Sequence, residues 1–267
     1  MLITDLSDFN LIHIFECGQC FRWSKDEKGV YKAVVGDYIM TAKDTKNGVE
    51  IICDDDSFIT EYFDLERDYG KVKSLFSNDE ILNVATKHGY GIRLLKQQPF
   101  ETVISFIISA NNNIPRIKKI IESLCENFGE KIIDGYYKFP TPEVLSKLTV
   151  EDLSVIRSGF RAKYIIDASK NIASGEIDLE KIYSMDSTDG REYLKQIKGI
   201  GDKVADCILL FAYQKFDVFP KDVWIKKILH NLYNVDAKDF DLFIEDKFGK
   251  FGGFAQQYLF YYGREFI

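Results

Sequence analysis

Two glycines bracket one isoleucine in Ile197-Lys198-Gly199-Ile200-Gly201-Asp202-Lys203, and an aspartate, Asp222, follows Lys203 after nineteen residues. Gly199 and Gly201 permit a tight turn with positive backbone torsions and close approach by another backbone. The free amides of a helix opening there would face outward, a ready site for a phosphate. Lys203 falls in the first turn of that helix, where the dipole disfavours a cation. Burial among Val204, Ile208 and Leu209 is expected to push its pKa down further, leaving the neutral amine that nucleophilic attack requires. Asp222, in Phe219-Pro220-Lys221-Asp222, reads as the N-cap of a third helix, and a cap holds a carboxylate in place for acid–base work. The plain alternatives are an exposed lysine on an amphipathic helix and an ordinary capping aspartate.

The 267 residues can hold one large or two modest domains. A net charge of −7 counts against a nucleic-acid partner, but distribution matters more than the total. From Lys195 to Lys227 seven lysines face four aspartates, and Arg116, Lys118, Lys119, Arg157, Arg161 and Lys163 form further basic segments. No apolar run is long enough to span a membrane, and the N-terminal segment lacks the pattern of a secretory signal. The protein is therefore expected in the cytoplasm, and its lysine- and isoleucine-rich composition suggests a prokaryotic cell. Cys17-Gly-Gln-Cys20 is a CxxC, yet no second pair stands at zinc-site spacing and only three histidines are available, so structural cysteines are expected. A metal centre and an iron–sulfur cluster are both unexpected.

These side chains need positioning elements. Phe15 to Trp23, Tyr31 to Lys43 and Val49 to Cys53 read as strands, separated by Lys25-Asp-Glu-Lys-Gly29 and the Asn47-Gly48 turn. From about Ser57 the periodicity becomes helical. Asn78 is placed as the cap of a helix from Asp79 to His88, stopped by Gly89. Further helices are expected from Pro99 to Ser109, Ile114 to Phe128, Val150 to Arg157, Arg161 to Ala173, Arg191 to Lys195, Lys203 to Tyr213, Asp222 to Tyr233 and Phe254 to Tyr262. The expected fold is α+β: an N-terminal antiparallel β-rich domain over 1–88 and a two-lobed helical body over 89–267, with a helix-hairpin-helix at about 191–213.

The hairpin with Lys203 and Asp222 resembles the helix-hairpin-helix, Gly/Pro/Asp signature of base-excision DNA glycosylases, and the lysine resembles the branch that also cuts the strand. Four further segments resemble 8-oxoguanine DNA glycosylases/AP lyases of the eukaryotic type. They are Gly18-Gln19-Cys20-Phe21-Arg22-Trp23, Ser105 through Asn111-Asn112-Asn113-Ile-Pro-Arg116, Phe160-Arg161-Ala162-Lys163-Tyr164, and Ala255-Gln256-Gln257-Tyr258-Leu259-Phe260. All four stand in the family's order.

The resemblance implies a bifunctional enzyme acting on double-stranded DNA that contains 8-oxoguanine, expected as a monomer and without a membrane partner. Lys203 would be the nucleophile and Asp222 the acid–base partner. The Gly18 carbonyl would accept the ring N–H that 8-oxoguanine has and guanine lacks. Gln256 would read the Watson–Crick edge, with Phe260 and Cys207 sandwiching the ring. Asn111 would fill the vacated space, Arg116 and Arg161 would contact the orphaned cytosine, and Phe160 would wedge into the stack. Gly199, Gly201 and Trp224 would meet the backbone. No cofactor is required, although a structural cation could sit under the hairpin carbonyls. Three positions depart from the family: Lys198 replaces a usual proline, Phe160 a usual tyrosine, and Trp224 a common histidine.

Overall fold

The structure, a computed structural model, describes residues 1–266. Five antiparallel strands, β1 (Leu2–Ile3), β2 (Ser24–Lys25), β3 (Tyr31–Val35), β4 (Tyr38–Thr45) and β5 (Gly48–Ile52), form one sheet in the order β1-β5-β4-β3-β2. The expected run from Tyr31 to Lys43 is thus two strands, because Gly36 at φ 58° turns the chain and pairs Val35 with Tyr38. The Asn47-Gly48 signal closes the next hairpin, with Thr45 opposite Gly48. One face of the sheet, carrying Tyr31, Ala33, Met40, Ala42 and Ile51, is buried beneath α1 (Leu11–Phe15) and α2 (Asp56–Tyr62).

The segment from Phe15 to Trp23 is not a strand, which corrects the expectation from its pattern. Phe15 ends α1, whose cap Asn10 accepts from the amides of Ile12 and His13, and Gly18 turns the following loop at φ 82°. The near-alternating burial has another origin, since this loop runs between two cores. Phe15, Cys20 and Trp23 enter the sheet core, where Phe15 stacks on Trp23 at 4.0 Å; Cys17 and Phe21 enter the helical core.

The helices that follow are α3 (Tyr69–Ser74), α4 (Glu80–His88), α5 (Pro99–Ser109), α6 (Ile114–Phe128), α7 (Pro142–Leu145), α8 (Ala162–Ala173) and α9 (Ser187–Leu194). After these come α10 (Asp202–Tyr213), α11 (Val223–Asn231), α12 (Phe240–Phe248) and α13 (Gly252–Phe266). Helices α5 and α10 pack against each other at the centre, and α5 is buried from Thr102 to Ile108. Pro99 stands in the first turn of α5, where a missing amide costs nothing.

Smaller corrections have local causes. The cap of α4 is Asp79, which accepts from the Leu82 amide at 2.8 Å, and not Asn78. Val150 to Arg157 forms only a 3₁₀ turn over Asp152–Ile156, ended by Arg157 at φ 53°. Helix α9 begins earlier than expected because Asp186 caps it. A short hairpin, Lys131–Ile133 with Tyr136–Tyr137, follows α6. No helix among the described residues is long and apolar enough to cross a membrane.

Candidate active site

The hairpin joins α9 to α10. Gly199 sits at φ 94°, and a Cβ there would lie 2.8 Å from Tyr164 Cγ, so the turn is pressed onto the aromatic ring of α8. Gly201 is different: its φ is −105°, it is the N-cap of α10, and a Cβ would meet nothing within 4 Å. The open space lies where the first amides of α10 project, with no side chain capping them. Lys198 is exposed beside Asp167, 3.5 Å away.

Lys203 and Asp222 line the same cleft. Lys203 is half-buried, with Nζ 5.4 Å from the ring centroid of Phe106, and Ile208 and Leu209 are fully buried in the helical core. Its apolar neighbour is therefore Phe106, which stacks on Phe211 at 5.5 Å. Asp222 caps α11 through the Ile225 amide at 2.8 Å, as its position in the sequence suggested. Burial raises the Asp222 carboxyl above the ordinary carboxylate value, while the Ile225 hydrogen bond and the charge of Lys203 pull it back. Cys207 stands one turn beyond Lys203, and burial pushes its thiol up to about 11 against the pull of Lys203.

Gly18, Cys207, Gln256 and Phe260 line this cleft as well. A Cβ on Gly18 would stand 3.0 Å from Phe260 Cε1, so both the torsion and the contact require glycine. Gln256 is only 5% exposed, and its Oε1 has no hydrogen-bond partner. A buried amide oxygen without a donor is costly unless something supplies one. Arg264 reaches over the Phe260 ring at 5.7 Å and donates to the Glu16 carbonyl at 3.2 Å.

Beside the cleft runs a wider groove lined by Asn111, Lys226, Trp224 and Phe260. Asn111 is exposed at φ 51°, a left-handed torsion that asparagine tolerates. Arg116 is exposed, its Nη2 3.5 Å from the Arg157 carbonyl. Phe160 is 54% exposed, edge-on to Tyr164 and 4.5 Å above the Arg161 guanidinium.

Arg161 packs against the turn that carries Asn111. It is 3% exposed, and its guanidinium donates to the carbonyls of Ala110, Asn111 and Ser158. Four of its five N–H donors are used, three of them on the Ala110 and Asn111 carbonyls, so Arg161 braces the turn that carries Asn111. Phe106, Pro220 and Gln257 also line the cleft, and the pattern of the sequence did not single them out. Phe106 and Gln257 lay within motif segments but looked like core residues; only the fold turns them inward. Among the described residues no group of three or more His, Cys, Asp or Glu side chains is placed to hold a metal ion.

A hairpin feeding an amide-rich helix start, a lysine in the first turn of that helix, and an aspartate at the cap of the next helix define a helix-hairpin-helix, Gly/Pro/Asp base-excision glycosylase. The family model described as HhH-GPD superfamily base excision DNA repair protein matches residues 104–251, and the chain belongs to that superfamily. Residues 1–103 match the model of the 8-oxoguanine DNA glycosylase N-terminal domain, which puts the chain in the 8-oxoguanine DNA glycosylase branch. The chain is 34% identical to an N-glycosylase/DNA lyase of Saccharomyces cerevisiae, over 88% of this chain and 71% of that protein. It is 33% identical to a probable N-glycosylase/DNA lyase of Methanothermobacter thermautotrophicus, over 76% of this chain and 71% of the relative. The Clostridium acetobutylicum 8-oxoguanine glycosylase/lyase, solved with double-stranded DNA containing cytosine opposite the lesion, superposes with a TM-score of 0.92. Its identity is 44%, over 97% of this chain and 93% of that one.

Proposed function

We propose that this chain excises 8-oxoguanine from duplex DNA and then nicks the strand, with Lys203 as nucleophile and Asp222 as its acid–base partner. The amine of Lys203 attacks C1′ of the lesion's sugar, and the bond to the base breaks with its electron pair leaving on the base. Asp222 stabilises the cationic character that develops at the sugar, at a distance set by its place as a cap. The ring then opens to an imine between Lys203 and C1′. Loss of a proton from C2′ expels the 3′ phosphate by β-elimination, which gives the nick. The reaction needs no metal or organic cofactor.

Base selection falls to Gly18 and Gln256. Inside a dry cleft, an N–H on the lesion would meet the Gly18 carbonyl, whereas the lone pair of guanine would oppose it. A site built around one hydrogen bond rejects its unpaired analogue by orders of magnitude. The buried, unpartnered Oε1 of Gln256, a residue that lines the cleft with Lys203 and Asp222, is the observation that carries this reading. It accepts a donor from the Watson–Crick edge of the extruded base. Phe260 and Cys207 flank the ring. Asn111 and Arg116 occupy the side of the orphaned cytosine, Phe160 wedges the stack, and Gly199, Gly201 and Trp224 meet the backbone. The protein acts as a monomer on chromosomal DNA in the cytoplasm.

Borohydride trapping on a duplex with one 8-oxoguanine opposite cytosine tests the reading. The parent protein is expected to give a covalent adduct and Lys203→Gln none. An adduct that persists in the variant, or a parent that forms none, would overturn it.

A further inference from the structure

We infer that Gln257 is a positioning residue that aims the Gly18 carbonyl, and so sets selectivity for the lesion over guanine. The inference rests on the base-reading role proposed above and deepens it. Gln257 is 2% exposed and lines the cleft beside Gln256. Its Nε2 donates to the carbonyl of Cys17 at 2.8 Å, bridging 240 residues of sequence. The accepting peptide is the one that enters Gly18. Fixing the plane of that peptide fixes one side of a residue whose φ, 82°, no other side chain adopts readily.

The other side is fixed by Gln19. This residue is fully buried; its Nε2 donates to the carbonyls of Ile14 and Arg93 at 2.9 and 2.8 Å, and its Oε1 accepts from Leu95 at 2.9 Å. The Gln19 carbonyl in turn accepts from Gln97 at 2.7 Å. The peptide that carries the Gly18 carbonyl therefore lies between two pinned ones, Cys17–Gly18 and Gln19–Cys20. Gln19 ties it to its own surroundings in the N-terminal part, and Gln257 alone of the two reaches from the helix that presents Gln256 and Phe260. The two surfaces meant to read one base are thereby held in one frame. A strap missing here leaves the Gly18 carbonyl free to swing, and the distinction between a ring N–H and a lone pair depends on that direction.

The test compares two rates in one preparation: release of 8-oxoguanine from a duplex, and nicking of a duplex carrying a preformed abasic site. The second reaction needs Lys203 and Asp222 but no base recognition, so it counts folded, competent molecules. Gln257→Met removes the donor at similar size, and Gln257→Glu turns a carboxylate toward the Cys17 carbonyl. Both are expected to lower the ratio of base release to abasic nicking by about tenfold, the loss of one hydrogen bond's worth of alignment. In a Lys203→Gln background, the preference in Kd for an 8-oxoguanine duplex over a guanine duplex is expected to shrink by a similar factor. A general loss of stability would move both members of each pair together. Ratios that stay within about twofold of the parent, in a parent that excises the lesion, overturn the strap alone. A parent that nicks abasic duplex but leaves 8-oxoguanine in place overturns the substrate reading and the strap with it.

Discussion

Asp222 holds two duties that pull against each other. As a cap it satisfies the Ile225 amide, and as a half-buried carboxylate beside Lys203 it keeps a charge where water is scarce. Its pKa is raised on folding, so the folded state binds the proton more tightly than the unfolded chain does. The penalty is therefore full above the folded pKa and fades as pH falls below it. Asn caps about as well as Asp. Asp222→Asn is expected to raise Tm at neutral pH by about 2 °C while depressing excision, with the gain vanishing in acid; calorimetry across pH checks it. In the parent, excision should fall on acidification at a higher pH than an ordinary aspartate would give, because the ionised form does the work. Gln256→Met should show the same trade: about 1 kcal/mol of added stability from removing the orphaned oxygen, with at least a tenfold loss of lesion excision. At this scale the sequence was most legible where chemistry demands a residue type. Lys203, Asp222, Gly18, Gln256, Cys207 and Phe260 all line one cleft. Gln257 and Phe106 were not legible, because a buried amide and a core phenylalanine look alike in sequence whichever way they face.

Turns and helix starts carry the next level of meaning. The two hairpin glycines should respond in opposite ways. Gly199→Ala places a methyl 2.8 Å from Tyr164 at a left-handed torsion and should cost about 2 kcal/mol of stability. Gly201→Ala has space and an ordinary torsion, so it should leave stability within about 0.5 kcal/mol. It should instead weaken duplex binding by about tenfold, the worth of one amide–phosphate hydrogen bond. Denaturation and binding titrations on the pair separate the roles. Arg161→Met should destabilise by ~3 kcal/mol, since the carbonyls of Ala110, Asn111 and Ser158 lose a charged donor. The helices from Pro99 and from Ile114 were read to the residue because proline or a polar cap marks each start and Gly129 stops the second. The stretch from Phe15 to Trp23 was misread as a strand because two cores on either side of a loop bury alternate residues as a sheet would.

Charge is a property of the whole molecule, and here it is largely spent internally. Of the lysines between 195 and 227, Lys195, Lys198 and Lys221 pair with Asp202, Asp167 and Asp241, and Lys215 donates to the Met185 carbonyl. The local excess visible in the sequence therefore overstates the field that DNA meets. Non-specific duplex affinity should fall with salt at a slope no steeper than about −4 in logarithmic terms, because each phosphate engaged contributes about 0.9. A titration of Kd between low and moderate salt measures it.

The bridge from Gln257 to Cys17 has one more consequence, which concerns the order in which the molecule comes into being. During synthesis the hairpin and Lys203 leave the ribosome before α13 does, and the loop around Gly18 long before either. The segment that carries Lys203 is thus made before the helix that carries Gln256 and Phe260. The proposed base pocket is completed when α13 closes back onto a loop made 240 residues earlier. Any break, permutation or fusion that keeps those two segments apart would open the helical core together with the proposed base pocket, because Phe254, Ala255, Tyr258 and Leu259 of α13 are buried in that core.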